Sequence, residues 1–425
     1  MKPLELLSAT YKYRKWLTSG IVGFLLLLAG IVIFVYGSEI GTVQFILALV
    51  FFSAGVALCF ICFRRIILAL LALTKNGHMP LTTNMLDIGK KIYRRTQLKE
   101  GPQIAVIGGG TGISTLLRGL KQFTANISAI ITVADDGGGS GVLRRNLGML
   151  PPGDIRNCVL ALADTEPQME KLLQYRFQEG DLKGQSFGNL FLAAMTGISD
   201  DFETAVRNMS QVLAVTGTVL PVTSEDINLI AELEDGKTIQ GESRIGTHNT
   251  FHPGRIKRVY LDKNNVKPLE SALCAIDNAS VIILGPGSLY TSIIPNLLVD
   301  HVAERIVKSS AVKIYVANVM TQPGETEGYS VYDHIRAIYQ HAGTQGFIDY
   351  CIVNTQSVPD EIYKRYQRDG ASMVRLDAGK IKKLGIKIIE RDLLQINQGY
   401  VRHDPIKLMN AVAEVCNCVK KGREG

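Results

Sequence analysis

The sequence predicts an α/β fold: a mostly parallel sheet with helices on both faces, preceded by an N-terminal two-helix transmembrane hairpin. Three observations predict it. The stretch Ile104 to Gly141 reads as strand, glycine turn, helix, strand, glycine turn. Further short strand-like segments, Ala279 to Leu284 and Val312 to Val316, also end in small polar loops, as buried parallel strands do. Two uncharged runs, about 17–36 and 42–63, stand ahead of all this.

The hairpin comes first, over residues 1–75. Each run is long enough, at about 1.5 Å per residue, to cross a bilayer core. Lys2, Lys12, Arg14 and Lys15 precede the first run, Arg64 and Arg65 end the second, and the loop between them carries only Glu39 as a charge. The positive-inside rule then puts both ends in the cytoplasm, as a multi-pass protein of the inner (plasma) membrane. A cleaved signal peptide fits less well, because the first run is long and a second follows. Ile66 to Lys75 is expected along the interface. Residues 76–101 form a basic juxtamembrane linker with a helix over Leu81 to Glu100, and Gly101-Pro102 ends it.

Charge and cysteine usage narrow the class. The formal charge of +7 is concentrated in the first hundred residues, beside the apolar runs, so it points to anionic lipid; no nucleic-acid motif occurs. The seven cysteines are scattered, and Cys59 and Cys62 sit inside an apolar run, which argues against a disulfide framework or a zinc site.

The remaining domain is expected over 102–418, with 419–425 as a tail. Gly108, Gly109, Gly110, Thr111 and Gly112 follow the first strand and open a helix, an arrangement suited to phosphate. Asp135 and Asp136 follow the second strand. Asp154 in PPGDIRN reads as a helix N-cap, with Arg156 one turn in, facing either a bound anion or Asp135 or Asp136. Ser186 caps a further helix, with Asn189 on its exposed first turn. Thr218 to Ala231 and Lys237 to Gly241 read as strands. His248 and His252 lie in a polar loop. Gly287 and Ser288 form a second anion-friendly turn, with Ser288 as its cap, and Asn296 follows. Phe347 to Asn354 reads as a strand, Glu361 to Tyr366 carries Tyr363 and Tyr366, and Asp404-Pro405 starts the final helix.

The strand ends converge on one crevice, where an open parallel sheet binds its ligand. Two fingerprints fail there. A Walker A loop needs Lys where Ile113 stands, and G-x-G-x-x-G is broken by Ile113 or Thr115. Asp135 nevertheless stands where a ribose-binding acid would, and Asp135 with Asp136 would alternatively hold a metal such as Mg²⁺.

Seven motifs in order carry a resemblance: GGGTG (108–112), ADDGG (134–138), PPGDIRNC (151–158), SFGNLFLAA (186–194), GPGSLYTSIIPNLLV (285–299), NVMTQPGET (318–326) and RHDP (402–405). Together they resemble the bacterial gluconeogenesis-factor family, which is related to the 2-phospho-L-lactate transferases. The resemblance covers 102–418. It implies a Rossmann-like domain that binds a UDP-sugar such as UDP-N-acetylglucosamine. It also implies roles in cell shape, peptidoglycan and envelope maintenance and in gluconeogenic growth, through an unidentified envelope regulatory protein. It maps ligand contacts onto Thr111, Asn296, Tyr366 and Arg402, with Thr111 and Arg402 on phosphate and Tyr366 on uracil or sugar. Gly139 departs from the family's serine, and the hairpin departs from its many soluble members. The expectation is therefore a membrane-tethered UDP-sugar-binding regulator, a binding protein ahead of an enzyme, with turnover of the nucleotide and assembly into a homo-oligomer left open by the sequence. The alternative is an Mg²⁺-dependent transferase acting on a phosphate-bearing nucleotide donor. An NAD-binding protein is a weaker third reading.

Overall fold

Strand β1 (Ile104–Gly108) is buried along its whole length, as its unbroken apolar run requires of a central strand. The computed structural model describes residues 11–36, 42–74, 96–164, 167–247, 254–397 and 399–424. The chain divides into two units, Met1–Gln97 and Leu98–Gly425.

In the first unit, helices Tyr11–Tyr36 and Thr42–Thr74 pack against each other in antiparallel fashion, Gly20 facing Cys62 and Gly30 facing Ala48 and Phe52. A Cβ at Gly23 would stand 3.1 Å from Cys59 Sγ, and one at Gly55 2.7 Å from the Gly23 carbonyl oxygen. Small residues thus let the backbones approach, the usual device of helices in lipid. The two cysteines pack this seam. Phe24, Val32, Phe34, Phe45 and Phe60 point outward and are exposed. The segments Thr18–Val35 and Phe45–Arg65 are long and apolar enough to cross a membrane. The second helix does not stop at Phe63 but continues to Thr74. The expected juxtamembrane helix lies outside the described residues up to 95.

The second unit begins at Leu98, whose carbonyl accepts the Ala125 and Gly101 N–H groups. Its sheet has seven parallel strands in the order β10-β9-β8-β7-β1-β2-β3. These are β2 (Ile127–Ile131), β3 (Thr218–Pro221), β7 (Val281–Leu284), β8 (Val312–Val316), β9 (Tyr350–Asn354) and β10 (Lys387–Arg391) around β1. The chain moves outward from β1 through β2 to β3, then returns to β7 and moves outward the other way. The switch point is therefore between β1 and β7, where an open sheet leaves a crevice at its carboxyl edge.

The expected strand Thr218 to Ala231 is two strands. β3 ends at Pro221, and β4 (Leu229–Leu233) belongs to a small antiparallel sheet with β5 (Thr238–Gln240) and β6 (Ile256–Leu261). The polar break between them is pinned by Arg144, which donates to Asp226 Oδ1 (2.6 Å) and the Ile227 carbonyl (2.7 Å). A hairpin, β11 (Leu394–Asn397) and β12 (Tyr400–His403), precedes the last helix. Asp404 caps that helix by accepting the Ile406 and Lys407 N–H groups. The helix runs to Glu424, so the expected tail from 419 is helical backbone.

Candidate functional site

The crevice at the switch point encloses about 550 Å³. Its floor is two turns in contact. Gly109 is the N-cap of helix Gly110–Leu120 and provides no side-chain cap; Asp154 accepts the Gly110 N–H, and the following first-turn N–H groups are open to a ligand. Gly110 has φ +69, in the left-handed region that favours glycine. A Cβ on Gly112 would collide with the Pro286 carbonyl, and one on Gly109 would stand 2.7 Å from Asp154 Oδ2. These glycines are required by how closely the two turns and Asp154 approach.

The second turn is held from β8. Asn318 accepts the Gly287 N–H (3.2 Å) and donates to the Gly287 carbonyl (2.8 Å). Ser288 does not cap with its side chain; its hydroxyl donates to Gln322 Oε1 at 2.6 Å. Gln322 in turn donates to Glu325, which also accepts from Thr291 Oγ1 and the Tyr290 N–H.

Of the residues expected from sequence, Gly109, Gly110, Thr111, Gly112, Asp135, Gly287, Ser288, Tyr366 and Arg402 line the crevice. Gly108 lies just beneath as the last residue of β1. The others are placed differently. Asp135 and Asp136 diverge: Asp135 faces the crevice and accepts the Gly137 N–H (2.9 Å), whereas Asp136 accepts the Ser243 N–H (2.8 Å). Arg156 does not line the crevice; it donates to Ser186 Oγ (2.9 Å) and Asn157 Oδ1 (2.8 Å), and not to Asp135 or Asp136, bracing the cap of helix Phe187–Gly197. Asn189 is 3% exposed, not on an open first turn. Asn296 is fully buried and donates to the carbonyls of Gly108 (3.2 Å) and Ser292 (2.8 Å), so it supports the glycine turn from behind. His248 and His252 lie outside the described residues.

Sequence reasoning missed three residues. Asp154 is not a cap, because helix Pro152–Leu162 begins two residues earlier behind Pro151, which turns Asp154 toward the crevice. Burial, with the Asp135 charge adding to it, pushes its carboxyl up to about 6. Glu242 reaches the crevice from the start of the short helix Glu242–Ile245 that follows β5, and burial with Asp135, Glu325, Asp154 and Asp136 around it pushes its carboxyl up to about 8. Burial also raises Asp135. His403, beside Arg402, is the third: it lines the crevice, and burial lowers its ring to about 4. The adjacency to Arg402 in RHDP was the available signal for it; Glu242 had none.

At the other end of the crevice, Tyr366 Oη accepts the Val401 N–H (2.9 Å) and so ties β12 to helix Asp360–Arg368. The guanidinium of Arg402 sits 5.6 Å from the Tyr400 ring centre and that of Arg365 4.6 Å from it. Carboxylates thus gather on the β2 side, and Arg402, Tyr366 and His403 on the β8 side. Among the described residues, no group of three or more His, Cys, Asp or Glu side chains is arranged to hold a metal.

Residues 104–394 match the family model described as 2-phospho-L-lactate transferase CofD. A putative gluconeogenesis factor of Clostridium acetobutylicum is 43% identical over 97% of this chain and 92% of its own length. The gluconeogenesis factor of Bacillus subtilis is 48% identical over 74% of this chain and 98% of its own length. A crystal structure of a Bacillus halodurans protein superposes with a TM-score of 0.71 at 46% identity, covering 74% of this chain and 99% of that one. The chain therefore belongs to the gluconeogenesis-factor family and shares the CofD-like fold.

Proposed function

We propose that this protein binds a UDP-sugar, such as UDP-N-acetylglucosamine, in the switch-point crevice and acts as a membrane-tethered regulator of envelope synthesis and gluconeogenic growth. The observation that carries the reading is the pair of facing turns, 109–112 and 286–288, with Arg402 across from them. Uncapped backbone N–H groups and one guanidinium suit a diphosphate. The volume of about 550 Å³ is in the range of sites for ligands of that size. Thr111 would donate to a phosphate, and Tyr366, with Oη already engaged, would offer its ring. The N-terminal helices would hold the crevice at the cytoplasmic face, where an envelope regulatory protein would read its occupancy. Titration calorimetry of the full chain in detergent with UDP-N-acetylglucosamine tests the binding; no heat and no competition at millimolar ligand would sink it. Protease accessibility of the chain in sealed inverted vesicles tests the orientation.

A second reading is a transferase acting on a phosphate-bearing nucleotide donor. It is favoured by Asp135 and Asp154 facing one crevice beside the turns. Two carboxylates with ligand phosphate oxygens are a common Mg²⁺ environment. Asp135 and Asp154, and not Asp136, would hold the ion, which would neutralise charge on the phosphates. Mg²⁺-dependent consumption of a nucleotide donor, lost in Asp154→Asn, would establish this reading over the first.

A further inference from the structure

Arg402 lines the crevice, yet few contacts fix its guanidinium there. The side chain is exposed, and its hydrogen bond is a long one, 3.4 Å to the carbonyl of Val401, the residue before it. Across the hairpin, Gln395 stands opposite Arg402 and Asn397 opposite Tyr400, so the neighbouring strand offers no carboxylate. What the guanidinium does meet is the Tyr400 ring, 5.6 Å from its centre. Side chains two apart on a strand share a face, and β12 alternates exposed Tyr400 and Arg402 with buried Val401 and His403. A ring face attracts a cation at that range. Tyr400 is 48% exposed and would be a loose platform by itself. Helix Asp360–Arg368 grips it. The Arg365 guanidinium lies over the same ring, 4.6 Å from its centre, and the next residue, Tyr366, accepts the Val401 N–H at 2.9 Å. Gly399 leaves room for this, since a Cβ there would stand 3.0 Å from Arg365 Nη1. Two guanidiniums thus share one ring, and among the described residues neither is paired with a carboxylate.

We infer that Tyr400 is a positioning residue for Arg402: its ring, gripped by Arg365, holds the Arg402 guanidinium ready for the diphosphate before the ligand arrives. The inference rests on the UDP-sugar reading and deepens it. Tyr400 is not part of the crevice lining, so it acts through Arg402 and not on the ligand. A long side chain loses rotamer freedom when it binds, and one already seated on a ring loses less. The absence of a carboxylate partner matters equally, because a paired guanidinium would have to give up its partner to take a phosphate.

Titration calorimetry of the full chain in detergent with UDP-N-acetylglucosamine tests this in wild type, Tyr400→Phe and Tyr400→Leu, and in Arg402→Ala with and without Tyr400→Leu. Phenylalanine keeps the ring face. Leucine keeps bulk at the same place without it, so the pair separates the platform from mere packing. The expected result is binding about three- to tenfold weaker in the Leu variant and close to wild type in the Phe variant. Adding Tyr400→Leu to Arg402→Ala should weaken binding no further, because the ring's effect passes through the guanidinium. A purely structural role would weaken binding in both backgrounds alike. Unchanged affinity in the Leu variant overturns the inference, and so does an equal loss in the Phe and Leu variants. The same loss with and without Arg402 overturns it as well. Each of these results leaves the UDP-sugar reading standing. Absence of wild-type binding overturns that reading and this inference with it.

Discussion

Glu242→Gln should make the free protein more stable, and more so as pH rises. The carboxyl is pushed from its ordinary 4.5 up to about 8, first by burial and then by Asp135, Glu325, Asp154 and Asp136. A carboxyl raised in the fold stabilises fully below its unfolded value, and that contribution is lost as pH climbs through the folded value. For Glu242 the window is about 4.5 to 8. Each unit is worth roughly 1.4 kcal/mol, so near pH 7 the native state has lost about 3 kcal/mol relative to acid. Part of this belongs to the neighbouring carboxylates, so removing the charge alone should recover about 1–3 kcal/mol. Glutamine is the uncharged near-isostere. Scanning calorimetry from pH 5 to 8.5 on the full chain in detergent should give coincident melting temperatures at the acid end and a gap of several degrees at the alkaline end. The lone tryptophan, Trp16, lies in the N-terminal helix, so its fluorescence would not follow this unit. A gap that does not change with pH would refute the reasoning, and so would a variant less stable than wild type at pH 8.

Other consequences follow from the same geometry. Gly112→Ala should abolish ligand binding or prevent folding, because its Cβ would meet the Pro286 carbonyl; crystals or calorimetry of the variant would check it. Asn296→Ala should cost about 1–3 kcal/mol of stability and weaken binding indirectly by loosening the Gly108 carbonyl, read from urea unfolding and titration together. Arg402→Ala should weaken UDP-sugar binding about tenfold to a hundredfold with stability little changed, since the side chain is exposed apart from its contact with Tyr400 and a long hydrogen bond to the Val401 carbonyl. Asp154→Asn should raise stability above about pH 6, and its gain should shrink toward pH 4, as the raised carboxyl predicts.

The sheet was readable because parallel strands covered on both faces leave unbroken apolar runs. Ile104 to Ile107 and Val281 to Leu284 are such runs, and the glycine turn after each marks a close approach; Val312 to Val316 is interrupted by Lys313, whose ammonium donates to the Ser309 carbonyl. The details that failed depend on tertiary placement. Asp154 has the residue type and setting of a cap, but Pro152 is accommodated at the first helical position, so the helix starts three residues early. Asp136 looked like the twin of Asp135 until Ser243, 107 residues away in sequence, took its carboxylate. Asn296 and Arg402 stand in equally well-marked motifs, yet one supports the turn from behind and the other lines the crevice. No local pattern separates those roles, because both ask for a hydrogen-bonding side chain near the same glycines.

The distribution of charge along the crevice decides between the two functional readings. A nucleoside diphosphate brings negative charge to a wall that already holds Asp135, Asp154 and Glu242 on the β2 side, with Arg402 opposite. With Glu242 protonated at neutral pH, backbone N–H groups and Arg402 have two carboxylates to offset, and a phosphate placed toward β8 avoids them. A phosphate placed between the turns and Asp135 does not, and needs a cation between. UDP-sugar affinity should therefore be independent of Mg²⁺ if the diphosphate sits toward Arg402. It should rise by an order of magnitude or more with millimolar Mg²⁺ if it sits toward Asp135 and Asp154, with the rise lost in Asp135→Asn. Titrations in EDTA and in Mg²⁺, on wild type, Asp135→Asn and Arg402→Ala, separate the two. Magnesium-independent binding that disappears in Arg402→Ala would remove the transferase reading's physical basis. Binding that needs Mg²⁺ and survives Arg402→Ala would do the same to the reading that rests on Arg402.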